Sequence, residues 1–249
     1  MSFIDKATLF NQNGYVVEKN LLSKIEVDYL REESVALVKL FSEKHDVDVT
    51  LECARNKITG AEETQLLQCE DIHFYSASYC RLMVDERMVS LATKVMGTNN
   101  IKLHGTKVFI KPKNNGSPVP LHQDYVDFPY KNHSLISAII FLEDVIDSSS
   151  KVCLIPCSHK QGPLEHSPDG GWHLPFDEYS LDSATPIHVQ AGDVMLIDCL
   201  TVHGSGFNRS SQAQTFILLQ LCNPDDEPDD ERPYPRGYGM MIQGINTNI

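Results

Sequence analysis

From Ile101 onward this chain is a succession of short apolar runs broken by turn residues, and nothing else in it narrows the fold as far. Lys107 to Lys111, Leu135 to Leu142, Cys153 to Ile155, His188 to Gln190, Val194 to Asp198 and Thr215 to Leu221 have the length and composition of strands. Many short strands in one domain predict a sandwich or a barrel. Residues 1–100 read differently. Ser23-Lys24-Ile25-Glu26 is a capping box, and Leu30, Leu37 and Phe41 follow at helical spacing, with Arg31, Glu32 and Glu33 on the other side. A second helix is expected over Asp85 to Met96, ended by Gly97.

At 249 residues the chain is most naturally one domain, with helices over 1–100, an all-β core over 101–222 and an acidic tail over 223–249. Asp46 to Glu70 has no clean period and is either a loop over the active site or an ordinary surface loop. Gly162 to Ser183 is a long insertion between strands, the kind of loop that often holds substrate. The tail carries Asp225-Asp226-Glu227 and Asp229-Asp230-Glu231 among prolines and predicts a solvated extension.

Charge and cysteine usage exclude some partners. With 21 basic and 34 acidic residues the chain carries −13, which argues against nucleic acid or an anionic membrane surface. No apolar run approaches membrane-spanning length. Met1-Ser2-Phe3-Ile4-Asp5-Lys6 has no basic region leading into a long apolar core, and seven unpaired-looking cysteines suit a reducing compartment, so a cytoplasmic location is expected.

Two segments carry the chemistry. Pro118-Val119-Pro120-Leu121-His122-Gln123-Asp124 is answered downstream by Thr201-Val202-His203-Gly204-Ser205-Gly206. In extended backbone, residues two apart point the same way, so His122 and Asp124 can share a metal while Gln123 points off it. With His203 they make a 2-His-1-carboxylate face, a set that suits Fe(II) and leaves positions open for O₂ and a co-substrate. Two packed sheets would bring the two ligand-bearing strands face to face, as in cupin-like jelly rolls. Cys153, Cys157 and His159 read as an alternative zinc site, but they are three ligands where structural zinc sites usually close with four.

The flanks add specificity. Lys111-Pro112, Pro120-Leu121-His122-Gln123-Asp124, Cys153-Leu154-Ile155-Pro156-Cys157-Ser158-His159-Lys160, Ala191-Gly192-Asp193-Val194 and His203-Gly204-Ser205-Gly206-Phe207-Asn208 resemble the phytanoyl-CoA dioxygenase family of iron- and 2-oxoglutarate-dependent oxygenases. Asn13-Gly14-Tyr15-Val16-Val17 followed by Asn20-Leu21-Leu22-Ser23 is similar to the family's opening. The resemblance implies a double-stranded β-helix core, flanking helices, Fe(II) at His122, Asp124 and His203, and 2-oxoglutarate as co-substrate. It implies oxidation of an unactivated C–H bond of a small organic substrate, by hydroxylation, desaturation or cyclisation. Gln123 and Ser205 would then contact substrate or co-substrate.

One position departs from the family. An Arg normally meets the far carboxylate of 2-oxoglutarate, and read without gaps from His203 that position falls on Gln214. Gln can donate hydrogen bonds but no charge. Lys107 and Lys111, on one face of their strand, and Arg209 are the candidate replacements, with Lys107 the first choice because Phe109 shares its face. An iron oxidase using no 2-oxoglutarate, or a non-catalytic metal-binding jelly roll, remains open. Tyr125, Asp127 and Phe128 are expected at the cavity mouth, and His159, His166, Trp172 and His173 are further candidate contacts. The acidic balance and Asp127 favour a neutral or cationic substrate.

Overall fold

The computed structural model describes residues 5–43, 65–145, 150–167, 172–231 and 233–248. Residues 46–64 of the expected loop, and 168–171 of the insertion, lie outside them. The elements run α1 (Lys6–Asn13), β1 (Tyr15–Glu18), α2 (Lys24–Ser42), β2 (Leu67–Glu70), α3 (Ala77–Met83), α4 (Glu86–Met96), β3 (Ile101–Lys111), β4 (Val119–His122), β5 (Ile136–Phe141), β6 (Val152–Leu154), β7 (Thr185–Pro186), β8 (Val194–Asp198), β9 (His203–Ser205), β10 (Gln214–Cys222) and β11 (Met241–Gln243).

Two antiparallel sheets form the expected double-stranded β-helix. The larger has the order β1-β8-β5-β10-β3-β11, with β2 also on β3, and the smaller is β4-β9-β6-β7. The pleat of β3 and β10 sorts side chains into two layers. Val108, Ile110, Ile217 and Leu219 point outward and pack with Leu30, Leu37, Met88 and Ala92 of the helices. Burying each large aliphatic chain contributes about 1.5–3 kcal/mol, so this layer holds the helices to the sheet. Lys107, Phe109, Phe216 and Leu218 point the other way and line the barrel.

Both predicted helices have their expected ends. The Ser23 hydroxyl accepts from the Glu26 N–H while Glu26 Oε2 accepts from the Ser23 N–H at 2.7 Å. Asp85 caps α4 through the Arg87 N–H at 2.9 Å, and Gly97 closes it at φ 65°. Helices α1 and α3 escaped the periodicity: α1 buries only Phe10, and α3 is seven residues long. At the β1–β8 corner, buried Asp193 accepts from Lys19 Nζ at 2.7 Å, Asn20 N–H at 2.9 Å and Gln190 N–H at 2.8 Å. Gly192 beside it has φ 91°, and a Cβ there would stand 2.5 Å from the Leu22 carbonyl oxygen, so only glycine fits.

Two expectations are corrected. His188 to Gln190 is no strand, because its backbone bonds go to Lys19, Val145 and Asp193 rather than along a neighbouring strand. The acidic tail is no solvated extension. Strand β11 pairs with β3, and Asp226, 2% exposed, accepts from the Asn132 N–H at 2.8 Å and the Ser134 N–H at 2.9 Å. Lys102 Nζ in turn donates to the Asp226 carbonyl at 2.8 Å. Asp226→Ala strands two backbone donors, and a loss of about 2–4 kcal/mol is expected as a lower urea midpoint at unchanged slope. Among the described residues no helix is long and apolar enough to cross a membrane.

Candidate metal centre

Strand β4 ends at His122, the backbone stays extended through Gln123, and Asp124 opens a short 3₁₀ turn. His203 begins β9, directly opposite His122 in the register of the smaller sheet. The two strands approach closely because Gly204 has no side chain: a Cβ there would lie 2.6 Å from the Val119 carbonyl oxygen. The result is the predicted cluster. His122 Nε2 lies 3.6 Å and His203 Nε2 3.8 Å from Asp124 Oδ1, and the three ligand atoms all fall within 4.8 Å of one another.

Each ligand is held from behind. His122 Nδ1 is 2.9 Å from the Pro120 carbonyl and His203 Nδ1 is 2.9 Å from the Thr201 carbonyl. A carbonyl can only accept, so each Nδ1 carries the proton and each Nε2 presents a lone pair to the centre. The Ser137 hydroxyl donates to Asp124 Oδ2 at 2.5 Å, leaving Oδ1 toward the imidazoles. Burial alone would raise the Asp124 pKa, but His203, His122 and Ser137 overcome it and hold the carboxyl well below its usual range. Burial first, with the neighbouring His122 adding to it, pushes the His203 pKa down to about 4, so that its imidazole is neutral near pH 7. A carboxylate buried between two neutral-side imidazoles is a strong cation site, and the donor set fits Fe(II). Among the described residues no other His, Cys, Asp or Glu cluster has this form, and Cys153, Cys157 and His159 do not converge. Ser137 was invisible to motif reasoning. Ser137→Ala is expected to weaken iron affinity about 10–100-fold, read by competition with a chelator.

The centre sits in a cavity of about 270 Å³. Trp172 lines it, with its ring edge-on to His122 at 4.8 Å between centroids, and Asp127 and Phe128 lie on its wall as expected. Tyr125 instead packs against His133. His173 stacks on Phe176, and His159 bonds toward the Asn11 carbonyl. Gln123 is also corrected: fully buried, its amide nitrogen donates to the Gly162 and Leu200 carbonyls and its oxygen accepts from the Leu164 N–H. That side chain ties the insertion to the core and offers nothing to the cavity. His166 Nε2 accepts the Gln123 N–H at 3.1 Å.

The lysine beside Ser205 is Lys111, not Lys107. Lys111 Nζ donates to Ser205 Oγ at 2.7 Å and to the Gly206 carbonyl at 2.8 Å, with the side chain 1% exposed. Gln214 lies directly opposite Lys111 in the β10–β3 register and donates to Ser150 Oγ at 2.6 Å. Lys107, two turns of the pleat away, pairs with Glu70 at 3.0 Å and sits over the Phe128 ring. Arg209 is exposed over Phe207. With the neutral Ser205 hydroxyl and Gly206 carbonyl as its acceptors, the Lys111 amine has its pKa pushed down by burial to about 7. Burial with neutral acceptors disfavours the ammonium form, and a nearby carboxylate would restore it.

Comparison with known proteins agrees. A family model described as Phytanoyl-CoA dioxygenase (PhyH) matches residues 10–216. A probable alpha-ketoglutarate-dependent hypophosphite dioxygenase of Stutzerimonas stutzeri is 29% identical over 182 residues, covering 68% of this chain and 62% of that protein. The peroxisomal phytanoyl-CoA dioxygenase of Bos taurus is 26% identical over 239 residues, 88% of this chain and 68% of that one. Among solved structures, the epimerase SnoN in complex with Fe3+, alpha ketoglutarate and nogalamycin RO has a TM-score of 0.75 at 19% identity, covering 96% of this chain and 97% of that chain. EctD from S. alaskensis in its apoform has a TM-score of 0.70 at 21% identity, covering 92% and 82%. Those likenesses concern the fold; with the family match spanning the triad, the chain belongs to the phytanoyl-CoA dioxygenase family of iron- and 2-oxoglutarate-dependent oxygenases.

Proposed function

We propose that this chain is an Fe(II)- and 2-oxoglutarate-dependent oxygenase acting on a small organic substrate. The observation that carries the reading is the convergence of His122, Asp124 and His203 on the wall of a cavity, with the Lys111–Ser205 pair buried nearby. His122, Asp124 and His203 would hold the iron. Lys111 and Ser205 would meet the far carboxylate of 2-oxoglutarate, and Gln214 would hold Ser150 beside them. Bound there, Fe(II) with 2-oxoglutarate and O₂ supplies the oxidation of an unactivated C–H bond.

The chain's own residues orient and exclude. The Pro120 and Thr201 carbonyls fix the imidazole tautomers, and Ser137 fixes the carboxylate. Phe109, Ile139, Phe216 and Leu218 give the cavity an apolar wall that keeps water from the reacting carbon. An acidic chain and Asp127 on that wall support a neutral or cationic substrate. A reducing, cytoplasmic setting belongs to the same reading, supported by the free thiols of Cys69, Cys153, Cys199 and Cys222 in the core.

The test is a titration of the anaerobic Fe(II) protein with 2-oxoglutarate, followed by its visible charge-transfer band. A saturable band is expected. Iron retention without any band would favour an oxidase that uses no 2-oxoglutarate, and an absence of iron binding would leave a non-catalytic barrel.

A further inference from the structure

The inner face of β10 carries Gln214, Phe216, Leu218 and Gln220 in turn. Gln214, opposite Lys111, marks the end proposed for the co-substrate. Gln220 lies six residues further on, about 20 Å along an extended strand, so a five-carbon diacid held at Lys111 leaves it free. Its neighbour on β5 is Ser137, whose hydroxyl holds Asp124. Gln220 therefore lines the metal cavity, with Ser137 and Leu218, on the side away from the proposed co-substrate.

Among the described residues nothing bonds its amide. Gln220 is 0% exposed, and neither Oε1 nor Nε2 has a hydrogen-bond partner. Exchanging the two atoms would not change this, since both are unspent. The flanking strands show why. On β5 the Ser137 hydroxyl is turned to Asp124. On β3 the register slips between Gln220 and Leu221, so that His104 is the extra residue of a bulge and Gly105, with no side chain to offer, faces Gln220. Ser205, the other buried hydroxyl on the cavity wall, accepts from Lys111. A buried donor and a buried acceptor left unmade are costly, and a polar occupant of the cavity would recover both. Oε1 asks for a donor and Nε2 for an acceptor. An ammonium answers only the first and a carboxylate only the second. A carboxamide answers both, through two parallel bonds. The Gln220 side chain is unbranched, and rotation about its torsions presents the amide to the cavity it lines.

We propose that Gln220 is a specificity-determining residue of the metal cavity and recognises a neutral carboxamide of the substrate, a primary amide or the edge of a lactam. That the bound amide belongs to a molecule oxidised at the iron rests on the oxygenase reading; the binding itself does not.

Three probes of one shape test it: cyclohexanecarboxamide, cyclohexyl methyl ketone and cyclohexanecarboxylate, of which only the first both donates and accepts. Each is titrated calorimetrically into the full-length protein with Fe(II) and 2-oxoglutarate present and O₂ excluded, and iron content is measured on the same sample. The carboxamide is expected to bind about tenfold more tightly than the ketone, as for one added hydrogen bond, with the carboxylate weakest. In Gln220→Leu that preference is expected to vanish with iron content unchanged. The urea midpoint of this variant should stay level or rise, because an apolar chain of similar size loses no bond there. Should Gln220→Leu not fold, Gln220→Met keeps the unbranched shape and reads the same difference. Equal affinity for carboxamide and ketone, a preference that survives the substitution, or no heat from any probe at millimolar concentration would overturn the assignment. So would a lower urea midpoint in the variant, since the amide would then have partners inside the protein. A protein that holds no iron yet prefers the carboxamide, and loses that preference in the variant, would keep the role of Gln220 and sink the oxygenase reading.

Discussion

Purified Asp124→Ala protein is expected to hold no iron and to show no turnover, and His122→Ala and His203→Ala are expected to behave alike. The reason is charge as much as geometry. Asp124 is the one anionic member of the triad, so its removal leaves a dication facing two neutral imidazoles in a buried site. Loss of an outer hydrogen-bond partner typically costs about 10–100-fold in metal affinity, and loss of a ligand should exceed that. The fold should survive, since the triad lies in the smaller sheet at the cavity and the helix-covered layer of Val108, Ile110, Ile217 and Leu219 is untouched. Iron per chain by a colorimetric chelator, with far-UV dichroism as the control for folding, reads the outcome. Full iron occupancy in a His122→Ala/His203→Ala double variant would end the assignment.

Lys111→Met is expected to raise the 2-oxoglutarate dissociation constant by one to two orders of magnitude, about 1.5–3 kcal/mol for a hydrogen bond to a charged group. Iron should be retained, because Lys111 touches Ser205 and Gly206 rather than a ligand. Lys107→Met should leave co-substrate affinity unchanged, since that amine is engaged by Glu70. The lysine also predicts a pH signature. Its pKa falls from 10.5 to about 7 on folding. Between those values the unfolded chain binds a proton that the folded chain does not, so the stability of the 2-oxoglutarate-free protein should rise with pH across that window. A bound dicarboxylate reverses the preference by favouring the ammonium. Co-substrate affinity should therefore fall as pH rises above about 7, with proton uptake on binding visible as a buffer-dependent heat. Lys111→Met should lack both trends. Unaltered affinity in that variant would move the search to another cation.

The outline of the site was legible because period-two geometry and the quoted flanks act locally. His122, Asp124 and His203 needed only an extended backbone and one close strand pair. What stayed hidden depends on register. Lys107 and Lys111 share a face, and alternation cannot say which lies beside Ser205; the pairing of Gln214 with Lys111 does. In the proposed reading that pairing would account for the missing Arg, the positive charge being supplied by Lys111 on the neighbouring strand instead of by residue 214. Ser137 is one serine among many until β5 sets it behind Asp124. Gln123 looked functional from its position between two ligands, yet its amide is spent on three backbone groups. Charge counting misread the tail because a single buried carboxylate, Asp226, outweighs its exposed neighbours.

The outer edge of β3 is divided between two distant pieces of chain, β2 over residues 107–110 and β11 at Ile101 and Lys102. A strand this long, left with an open edge, is a template for a second molecule. Residues near the C-terminus thus act as a guard rail: shortening the chain before Met241 would uncover backbone donors and acceptors at Ile101 and Lys102. Loss of that segment would first show as self-association through β3, ahead of any loss of the iron site at the other side of the barrel.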